Sequence, residues 1–268
     1  MDSKSKVSVP NLTIGILSRA ADSYVLDAVR SASGITNEIL VLGPSPVKCE
    51  VEEIRWEPYT WPDNFSTARN ALNNLSSNDW VLHLDSDETL DPSAVPLLRQ
   101  VVSQEQTIVK ISVLLEEARV LLPRLVPKTA EWRRPVHEIP RHPGGTREEQ
   151  RIHIHHRQLS PQERGDRLIA NYYLIRNELE STKDPELLFL SAIDASFFNH
   201  QLARELATEY LKTFKSISSR KGRIQRDLME YVIAFLDGRA GIDRKAATQR
   251  VRRLLYRRPD FAEKNRIP

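Results

Sequence analysis

Over its first ninety residues the chain alternates short apolar runs with stretches whose apolar residues recur every three or four positions. "LTIGILSR" (12–19) predicts a first strand. "DSYVLDAVRSAS" (22–33) predicts a helix, with Val25, Leu26 and Val29 on one side, Asp22 as N-cap and Gly34 as stop. "EILVLG" (38–43) is a second strand and "EEIRWEP" (52–58) a weaker third. "NFSTARNALNNL" (64–75) is a helix with Phe65, Ala68, Leu72 and Leu75 on one side, and "DWVLHLD" (79–85) is the fourth strand. Strands alternating with helices predict an α/β fold with a mostly parallel, doubly wound sheet, in which ligands sit beyond the carboxyl ends of the strands. Residues 107–127 read as two strands joined through "EEAR", and 128–158 as irregular, rich in Pro and His. From 159 on, the pattern is helical, roughly 162–182, 185–198, 201–217, 222–237 and 243–256. Ser160–Pro161 and Asp184–Pro185 supply N-cap and first-turn proline pairs. The predicted boundary divides an α/β domain, 1–158, from an all-α domain, 159–268.

Composition narrows the setting. The 268 residues contain one cysteine, Cys49, so a disulfide framework is excluded and a reducing, cytoplasmic location is expected. Pro outnumbers Gly, 16 to 9, which leaves no Gly-rich phosphate loop. The start is polar, and no apolar run approaches the roughly 18 residues that cross a bilayer, so no transmembrane segment is expected. Charge is uneven: residues 1–150 carry 16 Lys and Arg against 21 Asp and Glu, whereas 201–268 carry 17 against 8. The basic end fits nucleic acid or an anionic membrane, with peripheral contact at the inner membrane face, or simply an Arg-rich solvated surface.

Candidate chemistry concentrates in "WVLHLDSDETL" (80–90), where an apolar strand stops at Asp85, Asp87 and Glu88. Alternate residues of a strand share a face, so Asp85 and Asp87 point the same way while the strand lasts. Their repulsion calls for a proton, a basic side chain or a metal ion. Helix capping does not account for them, because Asp91–Pro92 already caps the next helix. Hard cations such as Mg²⁺ and Mn²⁺ take one or two carboxylates beside substrate phosphates. His83 shares the strand face of Asp85 and reads as a hydrogen-bonded core residue.

Two families use such an element. "VLHLDSDET" resembles the first motif of haloacid-dehalogenase-like phosphatases, with Asp85 as nucleophile and Asp87 as acid/base. In that family the strand usually comes first; here about 80 residues precede it. The broader resemblance is to family 2 glycosyltransferases with the GT-A fold. It rests on "WPDNFSTARNALNNLSSNDWVLHLDSDETLDP" (61–92), "LPRLVPKTAEWRRPVHE" (122–138) and "IHIHH" (152–156). Within that family the chain is similar to the branch of lipopolysaccharide-core glucosyltransferases and peptide S-glycosyltransferases, some with tetratricopeptide-like C-terminal helices. "LLFLSAIDASFFN" and "QLARELATEYLKTF" resemble one such helical repeat.

That resemblance implies transfer of a sugar from a nucleotide diphosphate donor, a UDP-sugar first among them, to an acceptor hydroxyl or thiol. Inversion and a Mn²⁺ or Mg²⁺ cofactor are implied with it. Asp85 would lie near the ribose or base, Asp87 would hold the cation, and Glu88 would orient a ligand or stabilise the turn. Arg69 and Asn70 would face the donor phosphates, and Glu138 or His137, with Glu138 favoured, would take the acceptor's proton. Trp132 would wall the acceptor site. His153 and His155 share a strand face without a third ligand for zinc, so His155 is expected at most to complete the diphosphate–metal site. The second strand departs from the family. It ends "VLGPSPVKCE", with no acid at its tip to grip a base, and Arg19 in the first loop is the substitute for phosphate or base. The helical domain would grip the acceptor, a glycan, lipid-linked glycan, peptide or nucleic acid, or a protein partner. The rival expectation is a catalytically weak GT-A-like binding protein that uses its basic C-terminal helices.

Overall fold

The computed structural model describes residues 9–19, 24–44, 46, 49–52, 54–116, 118–182, 184–214, 219–242, 245 and 249. The expected N-cap Asp22, and most of the expected helix 243–256, lie outside the described residues. The chain divides into two compact units, residues 1–158 and 159–268.

The first unit is a mixed α/β structure. β1 (Leu12–Leu17) and β2 (Glu38–Gly43) are buried along their whole length, which is why both read as continuous apolar runs. Between them α1 (Tyr24–Ala32) is followed by Gly34 at φ +73°, a left-handed position that glycine adopts without strain. β3 (Ile54–Pro58) leads to α2 (Phe65–Leu75), capped by Asn64, whose side chain accepts the Thr67 N–H at 2.9 Å. β4 (Trp80–Asp85) follows, then the short β5 (Glu88–Leu90). Asp91 accepts the Ser93 N–H and starts a 3-10 turn, Pro92–Ala94, that runs into α3 (Val95–Val102). The expected hairpin is present as β6 (Ile108–Leu114) and β7 (Arg119–Pro127), paired antiparallel.

The segment expected to be irregular holds three more strands: β8 (Glu131–Arg133), β9 (Ile139–Arg141) and the eleven-residue β10 (Thr146–His156). β10 escapes a reading of pattern because "TREEQRIHIHH" buries only Ile152 and Ile154 fully. It is recruited by long-range pairing, parallel to β6 and antiparallel to β5, with a register shift between Glu149 and His153. Tertiary context here overrides local preference.

The eight-stranded sheet runs β3-β2-β1-β4-β7-β6-β10-β5. β1 to β4 are parallel; β7 runs antiparallel to both β4 and β6. After β1 the chain moves to β2 and β3 on one side, then returns through α2 to β4 on the other. The switch in direction therefore falls between the carboxyl ends of β1 and β4, where open α/β sheets leave a crevice. Gly15 in β1 brings α2 close to this line, because a Cβ there would collide with the Leu72 side chain. Leu72 lies one turn after Arg69, so the same close approach holds Arg69 near the strand tips.

At the opposite end of the sheet, Glu38 ties three elements together. It accepts from Thr13 Oγ1, from the Ser77 N–H at 2.9 Å and from Arg55 Nη1 at 3.0 Å. Burial pushes this carboxyl up, but the hydrogen bonds from Thr13 and Ser77, with Arg55, hold it below its ordinary value.

The second unit contains α4 (Pro161–Thr182), α5 (Pro185–Ala195), α6 (His200–Thr213) and α7 (Arg220–Arg239). Asp184, Asn199 and Ser219 cap the last three through side-chain acceptors. Leu188, Ala192, Ala203, Ala207, Tyr210 and Met229 form its core. No helix among the described residues is long and apolar enough to cross a membrane.

Candidate active site

The acids at the tip of β4 do not stay on one face. β4 ends at Asp85, and Ser86 and Asp87 form a turn before β5, so the two aspartates part company. Asp85 turns to the protein's own arginines. Arg69 Nη2 donates to Asp85 Oδ1 at 2.9 Å, and Arg124 Nη2 donates to Asp85 Oδ2 at 2.7 Å. Of the three ways to relieve carboxylate repulsion, Asp85 takes the basic side chain. Arg69, expected to face the donor phosphates, is only 3% exposed and is engaged by Asp85. Arg69 Nε also donates to Glu138 Oε1 at 2.8 Å, so one guanidinium joins the strand tip to the segment after β8.

Arg124, which the sequence reading assigned no role, completes the cluster. Its Nη2 reaches Glu88 Oε1 at 2.5 Å, and Glu88 Oε2 accepts the Asp85 N–H at 3.0 Å. Three carboxylates, Asp85, Glu88 and Glu138, thus face two guanidiniums across a largely buried site. Burial pushes Glu88 up, and the charge on Asp85 pushes the same way, with Arg124 pulling against both. Burial works against the charge on Arg124, but Asp85 and Glu88 outweigh it and its pKa rises. Arg69 rises for the same reason, through Asp85 and Glu138. A signal for Arg124 does exist in the sequence: it is a lone charge inside the strand "VLLPRLVP", and a buried charge needs a partner.

Asp87 has a different partner. His156 Nε2 lies 3.4 Å from Asp87 Oδ2, and both side chains are largely buried. His155, the residue expected at the metal site, points the other way, is 51% exposed and pairs with Asp91 at 3.3 Å. The reason is strand alternation. β10 pairs with β5 so that His156 lies opposite Glu88 and His155 opposite Thr89, which places their side chains on opposite faces. The His-x-His spacing marks His153 and His155, which share the face opposite His156. Asp91 is lowered to about 2, chiefly by hydrogen bonding from Ser93, with His155 adding to it.

Two further expected site residues have partners within the protein. Asn70 Nδ2 donates to the Trp132 carbonyl at 2.9 Å and its Oδ1 accepts the Trp132 N–H at 2.8 Å, a two-way lock on the backbone of β8. Trp132 is 3% exposed. Its ring packs against the Arg69 guanidinium, centroid distance 5.1 Å, and edge-on to His83 at 5.0 Å. Trp132 and Asn70 thus support Arg69.

His137 and Glu138 follow a backbone held in an unusual state. Arg134 and His137 are both left-handed, with φ of +79° and +52°, a conformation that costs non-glycine residues free energy. The loop is pinned to the start of α2, where the Phe65 N–H donates to the Pro135 carbonyl at 2.8 Å and Ser66 Oγ donates to the Arg134 carbonyl. Arg19 follows β1, and its guanidinium rests on Trp61, 4.9 Å from the ring centroid.

His83 is buried beneath this cluster, and its Nε2 donates to Asn73 Oδ1 at 2.9 Å. Burial, and then the charges of Arg69 and Arg124, hold it well below the ordinary value of 6.5. The folded protein therefore keeps His83 neutral where the unfolded chain takes up a proton. Stability rises with pH through this region and is lost as pH falls below 6.5. We expect a slope approaching about 1.4 kcal/mol per pH unit there. Urea titrations between pH 7 and 5 will show it in the wild type, and a flatter profile in His83→Gln. Equal slopes would mean that His83 does not carry the effect.

The phosphatase expectation fails on geometry. Both oxygens of Asp85 accept from guanidiniums, which leaves it a poor nucleophile, and its strand is fourth in the sheet.

No protein-family model matches the chain, and no curated protein matches it. Among solved structures, the crystal structure of S. aureus TarS superposes with a TM-score of 0.42 at 8% identity, covering 91% of this chain and 54% of TarS. The chain thus spans about half the length of that protein. S. aureus TarS 1–349 in complex with UDP-GlcNAc gives 0.42 at 8% identity, covering 84% and 81% of the two chains. These likenesses are too slight to bear on activity.

Proposed function

We propose that the chain is a nucleotide-sugar glycosyltransferase of the GT-A type, dependent on a divalent cation. The observation that carries the reading is the pairing of Asp87 with His156 beside the crevice between β1 and β4. The carbonyl of Arg157 can only accept, so at 2.6 Å His156 Nδ1 must be the donor. In a neutral imidazole, Nε2 then turns a lone pair toward the Asp87 carboxylate. Asp87 Oδ2 lies 3.4 Å from that nitrogen, close enough for one cation to touch both. Metal-bound histidines commonly hold their second nitrogen on a carbonyl in this way. Among the described residues, no group of three or more His, Cys, Asp or Glu could hold a metal. One carboxylate and one imidazole suit an ion that draws its remaining ligands from a diphosphate and water.

When bound, the cation would offset negative charge on the departing diphosphate. The chain's own residues supply the rest. Asp85, paired with Arg69 and Arg124, would accept hydrogen bonds from ribose hydroxyls rather than ligate metal. Arg19, resting on Trp61, is the candidate contact for phosphate or base. Glu138, oriented by Arg69, and His137, on its left-handed backbone, are the candidates to take the acceptor's proton. The helical unit, read as tetratricopeptide-like, would hold the acceptor.

One observation favours the rival reading. A DxD whose first aspartate is locked by two arginines also suits a fold that has given up catalysis and binds anionic partners through its basic helices. A thermal-shift panel of UDP, GDP, CDP and TDP with and without Mn²⁺ separates the two. The transferase reading expects metal-dependent stabilisation by at least one nucleotide, about 2.7 kcal/mol at one hundred times Kd. No response to any nucleotide, together with salt-dependent binding to DNA or anionic vesicles, would establish the binding protein instead.

A further inference from the structure

Arg124 reaches the acids at the tip of β4 from a different strand. It comes from β7, 39 residues beyond Asp85 and 36 beyond Glu88. A single nitrogen, Nη2, bonds both carboxylates, while Glu88 returns to the Asp85 N–H. These contacts close a ring across the Ser86–Asp87 turn: Asp85 backbone to Glu88, Glu88 to Arg124, Arg124 to the Asp85 side chain. The ring has a second attachment. Glu88 is paired in the β5–β10 ladder directly opposite His156. Whatever fixes Glu88 therefore fixes where the turn presents Asp87 relative to His156.

We propose that Arg124 is a positioning residue for a divalent cation, acting through Glu88 and Asp85 to hold Asp87 and His156 at the separation of two ligands on one ion. The proposal rests on the glycosyltransferase reading and adds to it a residue that never touches the cation. Oxygen and nitrogen ligands at about 2.1 Å from an octahedral ion lie roughly 3 Å apart when adjacent. The observed separation of 3.4 Å is close to that spacing before any ion draws the two together. Without the Arg124 guanidinium, Asp85 and Glu88 would repel within a buried site and the turn would open, carrying Asp87 away from His156. Lysine does not replace it: the side chain stops one bond short of the Nη2 position and cannot bridge both acids.

The test uses the full chain with Mn²⁺ and inorganic pyrophosphate, which supplies the diphosphate oxygens without assuming a base or sugar. Electron paramagnetic resonance titration reads affinity, and the electron spin echo reads coupling to an imidazole nitrogen. Wild type should bind Mn²⁺ with a nitrogen coupling that His156→Gln abolishes. Arg124→Lys and Glu88→Gln should weaken binding about 10- to 100-fold, the range for residues supporting metal ligands. Both should also lose the nitrogen coupling while keeping the wild-type circular dichroism spectrum. A purely structural role would lower the folded fraction but leave the coupling intact in the molecules that fold. Should Arg124→Lys not fold, Glu88→Gln, which preserves side-chain volume, carries the test. Unchanged affinity and coupling in a folded variant would overturn the role of Arg124 alone. Failure of the wild type to bind Mn²⁺ at all would overturn the cation site and the transferase reading together.

Discussion

Replacing Arg69 by Met is expected to destabilise the protein by about 3–5 kcal/mol, the range for removing one partner from a buried ion pair. Arg69 bonds both Asp85 and Glu138, at 2.9 and 2.8 Å. Methionine fills much of the same volume, so the loss measures charge rather than a cavity. What remains is a Glu138 carboxylate without the Arg69 guanidinium and an Asp85 that still pairs with Arg124. For a domain of this size the penalty corresponds to roughly 10 °C in Tm. Arg69→Lys should recover little, since one ammonium cannot replace two separate donors, Nε and Nη2. The double variant Arg69→Met, Asp85→Leu should recover part of the loss, because the carboxylate left short of charge is gone with its partner. Chemical denaturation of the four species gives the coupling directly. A single-variant loss within about 1 kcal/mol of wild type would show that the cluster does not hold the unit together.

Asp87→Asn is expected to behave in the opposite way. Asp87 sits on a turn and pairs with His156, and Asn keeps a side-chain acceptor at the same position, so stability without ligand should fall by about 1 kcal/mol or less. Nucleotide binding in the presence of Mn²⁺ should fall by about 100-fold or more, which removes some 2.7 kcal/mol or more of ligand-induced stabilisation. Binding without metal should be little changed. Asp91→Asn is the matching control, since Asp91 pairs with His155 on the other face of β10. Isothermal titration with the nucleotide that gives the largest thermal shift decides the matter. Retention of the metal-dependent increment in Asp87→Asn would remove Asp87 from the cation site. A loss in Asp91→Asn would restore His155 to it.

Taken together, the two substitutions probe residues that spacing alone makes look alike. Asp85 and Asp87 both close a strand, and only the family resemblance gave them different roles. In the structure the strand ends between them, and their environments diverge. Asp85 belongs to a buried ionic cluster whose arginines lie 16 and 39 residues away. Asp87 belongs to a turn facing β10. A two-residue spacing reports a shared face only while the backbone stays extended.

Local chemistry was legible from the chain itself. Largely apolar runs marked β1, β2 and β4 because strands buried on both faces carry few polar positions. Gly34, Asp91 and Asp184 marked element ends because capping and left-handed geometry depend only on adjacent residues. The placing of acids at a strand tip was likewise a local fact. Tertiary structure alone decided which charges meet. β10 is a strand because β5 and β6 recruit it, and the β5–β10 register chose His156 over His155. The approach of α2 over Gly15 buried Arg69 and Trp132, and β7 delivered Arg124 to acids far behind it in the chain. Burial and ion pairing depend on what lies opposite in space, and residues tens of positions apart leave that unwritten until the sheet assembles.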